Sequence, residues 1–119
     1  MLIVDIDSAT PISGSEGTTI RQIFHPHNTM LGIRCSIAHC QLESGKKSTP
    51  HRLKSSEIYY IVRGEGTVHV DEERATVRSG QSVYIPPLSR QYIENLSGTT
   101  LEFLCIVDPA WRQEDEIMD

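Results

Sequence analysis

Residues 45–64 read GKKSTPHRLKSSEIYYIVRG, and this stretch decides the fold. Gly45 opens a polar loop, and Gly64 closes a run of β-branched and aromatic residues from Ile58 to Val62. Side chains two apart on a strand share a face, so Tyr59 and Ile61 fall with Glu57. Ile58, Tyr60 and Val62 fall on the opposite face, and they are apolar as well. A strand with one wet face would alternate more cleanly, so something must cover the outer side. Further strand signals lie outward of this stretch at Thr18 to Phe24, Leu31 to Leu42, Thr67 to Val70 and Ala75 to Val77. They continue at Ser82 to Ile85, Tyr92 to Ile93 and Thr100 to Val107. Ser44-Gly45, Gly64-Glu65-Gly66, Asp71-Glu72-Glu73, Ser79-Gly80, Pro86-Pro87 and Ser97-Gly98 supply the turns between them. Short strands at close spacing predict an antiparallel sandwich or barrel, an all-β fold. The one helical candidate is the acidic tail from Trp111 to Asp119.

With 119 residues the chain fits one compact domain, and 38% hydrophobic residues suffice for one core. Eleven basic residues against 16 acidic ones give a formal net charge of −5. That balance argues against a nucleic-acid binder, which shows a basic face. The longest apolar runs, such as Phe103 to Val107, are strand-sized and do not predict a membrane span. Acids in Met-Leu-Ile-Val-Asp-Ile-Asp stand where a secretory signal would want Lys or Arg. Cys35, Cys40 and Cys105 form an odd, unpatterned set that does not suggest a disulfide framework. The expectation is a soluble cytoplasmic protein.

A second stretch, residues 80–95, reads GQSVYIPPLSRQYIEN. Together the two stretches resemble the signature motifs of the cupin superfamily, small β-barrels with a first motif of Gly, His-x-His, Glu and Gly. The second family motif runs Gly, Pro-x-Gly, His and Asn. Gly45, His51, Glu57, Gly64, Gly80, Pro86 and Asn95 fall in register with them. The resemblance implies a jelly-roll barrel in which residues 1–119 form one domain and 45–95 its motif core. Residues 1–30 would be N-terminal strands, open to exchange in a dimer, and 108–119 an acidic tail.

The family's metal set comprises two His and one Glu from the first motif and one His from the second. Here those positions hold His51, Leu53, Glu57 and Gln91, and Leu88 replaces the glycine of the second motif. An imidazole, a carboxylate and an amide oxygen suit a divalent ion such as Zn, Mn, Ni or Fe(II). The metal site expected from the resemblance is therefore His51, Glu57 and Gln91. The competing expectation is a polar core in which Glu57 bonds His51 or Tyr59 and Gln91 bonds water. Two functional classes follow. One is a metal-dependent oxygenase, decarboxylase or isomerase acting on a small oxygenated substrate. The other is a metal-free ligand-binding or sensing cupin that breaks no bond.

Tyr59 shares the face of Glu57 and is expected to line the ligand cavity. Cys105 has the parity of Leu101 and Phe103 and is expected beside it, as a small hydrophobic wall residue, a soft ligand or a nucleophile. Cys35 and Cys40, five apart, fall on opposite faces and read as structural. His25-Pro26-His27 reads as an extended loop or strand end, His39 as ambiguous in face, and His69 as exposed. Lys46, Lys47, Arg52 and Lys54 cluster near the expected cavity mouth. If they act, they would attract an anionic small molecule. Tyr60, Val62, Leu104 and Ile106 should form an outward apolar patch, covered by a second copy in a homodimer or by Met1 to Ile6.

Overall fold

The computed structural model describes residues 1–14, 17–29 and 32–118. The strands are β1 (Ile12–Ser13), β2 (Thr18–Phe24), β3 (Ser36–Leu42), β4 (His51–Leu53), β5 (Ser56–Arg63) and β6 (Glu65–Val70). They continue with β7 (Glu73–Arg78), β8 (Ser82–Ile85), β9 (Gln91–Glu94), β10 (Leu101–Asp108) and β11 (Glu116–Met118). One sheet runs β1-β2-β3-β10-β5-β8 and the other β11-β4-β9-β6-β7. All pairings are antiparallel, and the two sheets make the expected jelly roll.

The core lies between the sheets. Leu42, Ile61, Ile85, Ile93 and Leu101 are fully buried there, joined by Cys40, Tyr59, Val68, Val77 and Phe103. Glu57, Tyr59 and Ile61 point inward along β5, and Ile58, Tyr60 and Val62 are exposed, as their parity requires. Gly64 shows why a glycine ends this strand. Its φ is +92°, and a Cβ there would stand 2.9 Å from the Thr100 carbonyl oxygen.

Asn95 is wholly buried and acts as a structural clamp. Its amide nitrogen donates to the carbonyls of Leu42 (2.9 Å) and Thr99 (2.7 Å), and its Oδ1 accepts from the Ser97 hydroxyl (2.6 Å). Its backbone carbonyl accepts from Gly45 N–H at 2.7 Å, tying the ends of the two motif stretches together.

The structure departs from the sequence reading in several places. The tail is not helical: it forms a short 3-10 turn, Gln113–Asp115, followed by β11. Nine residues are too few for a stable isolated helix, whereas the edge of β4 offers unpaired backbone groups. β11 takes that edge, with Met118 opposite His51 and Glu116 opposite Leu53. The strand expected from Leu31 begins at Ser36, and Leu31 itself lies outside the described residues. Pro26 opens a single helical turn, Pro26–Thr29, instead of an extended loop, since proline is well placed in a first turn. His69 is half-buried rather than exposed. It lies 3.0 Å from a Glu94 carboxylate oxygen, with its ring stacked on Tyr92 at 4.1 Å. No helix of the described residues is long and apolar enough to cross a membrane.

Candidate functional site in the barrel

A cavity of about 440 Å³ opens between the sheets, within the size range of small-molecule sites. His51 reaches it from β4, Glu57 and Tyr59 from β5, and Cys105 from β10. Gln91 of β9 stands behind them, with 1% of its surface exposed, and is paired in register with His51. The five residues that sequence reasoning selected therefore gather in one region of the barrel.

Their hydrogen bonds set up a short relay. The Tyr59 hydroxyl donates to Gln91 Oε1 at 2.8 Å. With that oxygen engaged, the Gln91 amide N–H is the group that faces the Glu57 carboxyl. Burial pushes the Glu57 carboxyl up to about 7, against the lowering influence of His51, Gln91 and Cys105. Its Oε1 is buried and has no hydrogen-bond partner. Such an orphan is costly unless something fills its place. Burial also raises Tyr59, aided by the neighbouring Glu57 charge, so the phenol keeps its proton.

His51 is held by its own strand entry. Its Nδ1 lies 2.8 Å from the Thr49 carbonyl, which can only accept, so Nδ1 carries the hydrogen. In the neutral ring that leaves the Nε2 lone pair available. Cys105 Sγ lies 3.5 Å from Cys40 Sγ. Contact with the Cys40 thiol and burial together push Cys105 well above the ordinary thiol range, so it stays protonated.

A divalent ion would find two poised donors here, His51 Nε2 and Glu57 Oε1. The third, Gln91 Oε1, is committed to Tyr59. Leu53, buried at the second imidazole position, offers nothing. Among the described residues no three His, Cys, Asp or Glu side chains are placed to hold one ion. The fit to a metal is therefore incomplete.

The basic cluster is placed elsewhere. Lys47 lies over the Tyr92 ring, Arg52 donates to the Leu88 carbonyl, and none of Lys46, Lys47, Arg52 and Lys54 lines the cavity. The parity that brings Ala38 and Cys40 inward turns His39 away. Its Nε2 lies 3.3 Å from Glu102 on the outer face, not in the cavity. Sequence reasoning missed the contribution of β2 and the tail, which bring Thr18, Ile20, Gln22, Trp111 and Glu116 to the cavity wall. These residues lie outside both motifs. The shared parity of Thr18, Ile20 and Gln22 was the one available signal.

Comparison with known proteins agrees with this architecture. The cupin domain family matches residues 38–107, and the chain belongs to that family. The uncharacterized protein MJ1618 of Methanocaldococcus jannaschii is 35% identical over 117 residues, covering 97% of this chain and 93% of the relative. An oxalate-binding protein of Thermotoga maritima is 31% identical over 72 residues, 60% of each chain. Among solved structures, a predicted oxalate decarboxylase from Thermotoga maritima superposes with a TM-score of 0.79. Its identity is 24%, with 91% of this chain and 99% of that one covered. That likeness concerns the fold.

Proposed function

We propose that this cupin binds a small molecule in its barrel, held by Glu57 and His51 with Tyr59 and Cys105 in the wall and Gln91 supporting Glu57 from behind, and that it does so without a metal. One observation carries the reading. Glu57 Oε1 is a buried polar atom with no partner, and it belongs to a residue that lines a cavity of ligand size. A bound molecule supplies the missing partner. Tyr59 and Gln91 fix the Glu57 carboxyl from behind, so it meets the ligand in one orientation. The free thiols suit a reducing compartment such as the cytoplasm.

The orientation of His51 favours a second reading, in which a divalent ion (Zn, Mn, Ni or Fe(II)) joins His51, Glu57 and Gln91. The chain would then be a metal-dependent oxygenase, decarboxylase or isomerase. Metal analysis of protein purified without chelator or affinity-tag nickel separates the two. Metal-free protein whose melting temperature rises with small ligands supports binding. A stoichiometric metal that His51→Ala loses supports the metal enzyme and overturns the first reading.

The protein also acts as a homodimer in this reading. Ile58, Tyr60, Val62 and Tyr84 are exposed together on the outer face of the six-stranded sheet, with Leu104 and Ile106 half-buried beside them on β10. Met1, Leu2 and Ile3 are themselves exposed, so they do not bury their side chains on this patch. A second copy presenting the same face covers it with an isologous interface.

A further inference from the structure

We infer that the ligand of this cavity carries no anionic group: it presents N–H or O–H donors to Thr18, Gln22 and Glu57 and packs an apolar body against Ile20 and Phe103. The inference rests on the binding reading above and names the class of molecule bound. Three side-chain oxygens of the lining are buried without a hydrogen-bond partner: Thr18 Oγ1, Gln22 Oε1 and Glu57 Oε1. A Gln carbonyl oxygen only accepts, the Glu57 carboxyl is acceptor-only once it ionises above about 7, and a Thr hydroxyl does either. The set therefore asks for donors. A carboxylate ligand would leave the Gln22 oxygen as unsatisfied as before, since two acceptors cannot pair.

Charge points the same way. No Lys or Arg lines the cavity among the described residues, whose acidic groups there are Glu57 and Glu116, against the one imidazole of His51. Above about 7, where Glu57 ionises, an anion would enter against carboxylate charge in a low-dielectric space, where like charges repel far more strongly than in water. The remaining wall is largely apolar, with Ile20, Ile93 and Phe103 in it, and suits a hydrocarbon or aromatic body. This cavity is thus unlike one built for a dicarboxylate such as oxalate, the ligand named for one of the relatives.

Isothermal titration calorimetry at pH 7.5 tests this with probes of one body and different heads: benzamide, benzyl alcohol and benzoate, with oxalate alongside. Benzamide or benzyl alcohol should bind at least ~10-fold tighter than benzoate or oxalate. Gln22→Leu, which keeps the size and removes the acceptor, should weaken benzamide roughly 5-fold. Thr18→Val gives the same readout should Gln22→Leu fail to fold. Benzoate or oxalate binding as tightly as benzamide overturns the inference and leaves the binding reading standing. Benzamide affinity unchanged in a folded Gln22→Leu and a folded Thr18→Val also overturns it. If none of the four probes binds at 10 mM (~10-fold above a millimolar constant), the inference fails and the binding reading fails with it.

Discussion

Tyr59 and Gln91 sit on opposite sheets of the jelly roll, and the phenol of one donates to the amide oxygen of the other at 2.8 Å. Both side chains are buried, so in the folded protein the bond is shielded from water and solvent cannot stand in for either partner. It spans the two layers at the point where the cavity begins. Removing the donor leaves a buried carbonyl oxygen without a partner, a loss of ~1–3 kcal/mol. Tyr59→Phe should therefore lower the urea unfolding free energy by that amount while keeping the fold. An unchanged midpoint would mean the bond contributes nothing net.

Glu57 makes stability depend on pH in a defined direction. Its carboxyl is pushed up to about 7 by burial, from an ordinary value of 4.5. The folded state thus keeps a proton that the unfolded state has already lost. The favourable contribution is complete below about 4.5 and disappears as pH rises through about 7. The full swing is ~3 kcal/mol. Glu57→Gln, which cannot ionise, should flatten this dependence and melt higher than the parent protein at pH 8. Parallel curves for the two proteins from pH 5 to pH 8 (roughly from half a unit above the lower value to one unit above the upper) would show that Glu57 is not the titrating group.

Leu88 occupies a conformation that disfavours it. Its φ is +67°, at the position where the family motif carries glycine, and its side chain is exposed. The turn holds because Leu88 N–H donates to the Leu53 carbonyl at 2.7 Å and Arg52 donates to the Leu88 carbonyl at 2.9 Å. Those bonds keep β4, and with it His51, against the second motif. Leu88→Gly relieves the left-handed strain and should raise stability by ~1 kcal/mol, read as a higher midpoint in urea. A lower midpoint would mean the leucine side chain contributes more than the strain costs.

The outer apolar face makes a prediction about mass. Tyr60 is 41% exposed and Tyr84 60% exposed, beside Ile58 and Val62. A patch of that kind is rare on a monomer. Sedimentation equilibrium at micromolar concentration should return twice the 13.4 kDa chain mass, and Tyr60→Glu should return the monomer mass. A parent protein of monomer mass contradicts the dimer.

Much of this was legible in the sequence because strand parity is a strict period of two. Once Glu57 was placed inward, Tyr59 and Ile61 had to follow, and Tyr60 and Val62 had to face out. Spacing also located His51, Glu57 and Gln91 in one part of the barrel. The tail was not legible, because its strand exists only by virtue of the β4 edge, a partner about 65 residues away that no local pattern announces. The wall contributed by Thr18, Gln22 and Trp111 escaped for the same reason: two-residue alternation says which side chains share a face, not which face meets the cavity. The commitment of Gln91 Oε1 to Tyr59 likewise depends on how the two sheets close on each other.

The Gln91 side-chain amide reports on the cavity directly, since its oxygen binds Tyr59 and its nitrogen faces Glu57. Two-dimensional NMR of 15N-labelled protein against a library of small fragments reads that amide together with the backbone of β5 and β10. Barrel binding predicts fragments that saturate at millimolar concentration, shift Gln91, Glu57, Tyr59 and Cys105 together, and lose their effect in Glu57→Leu. A library that leaves these four residues unmoved, or shifts them equally in Glu57→Leu, contradicts small-molecule binding at this site.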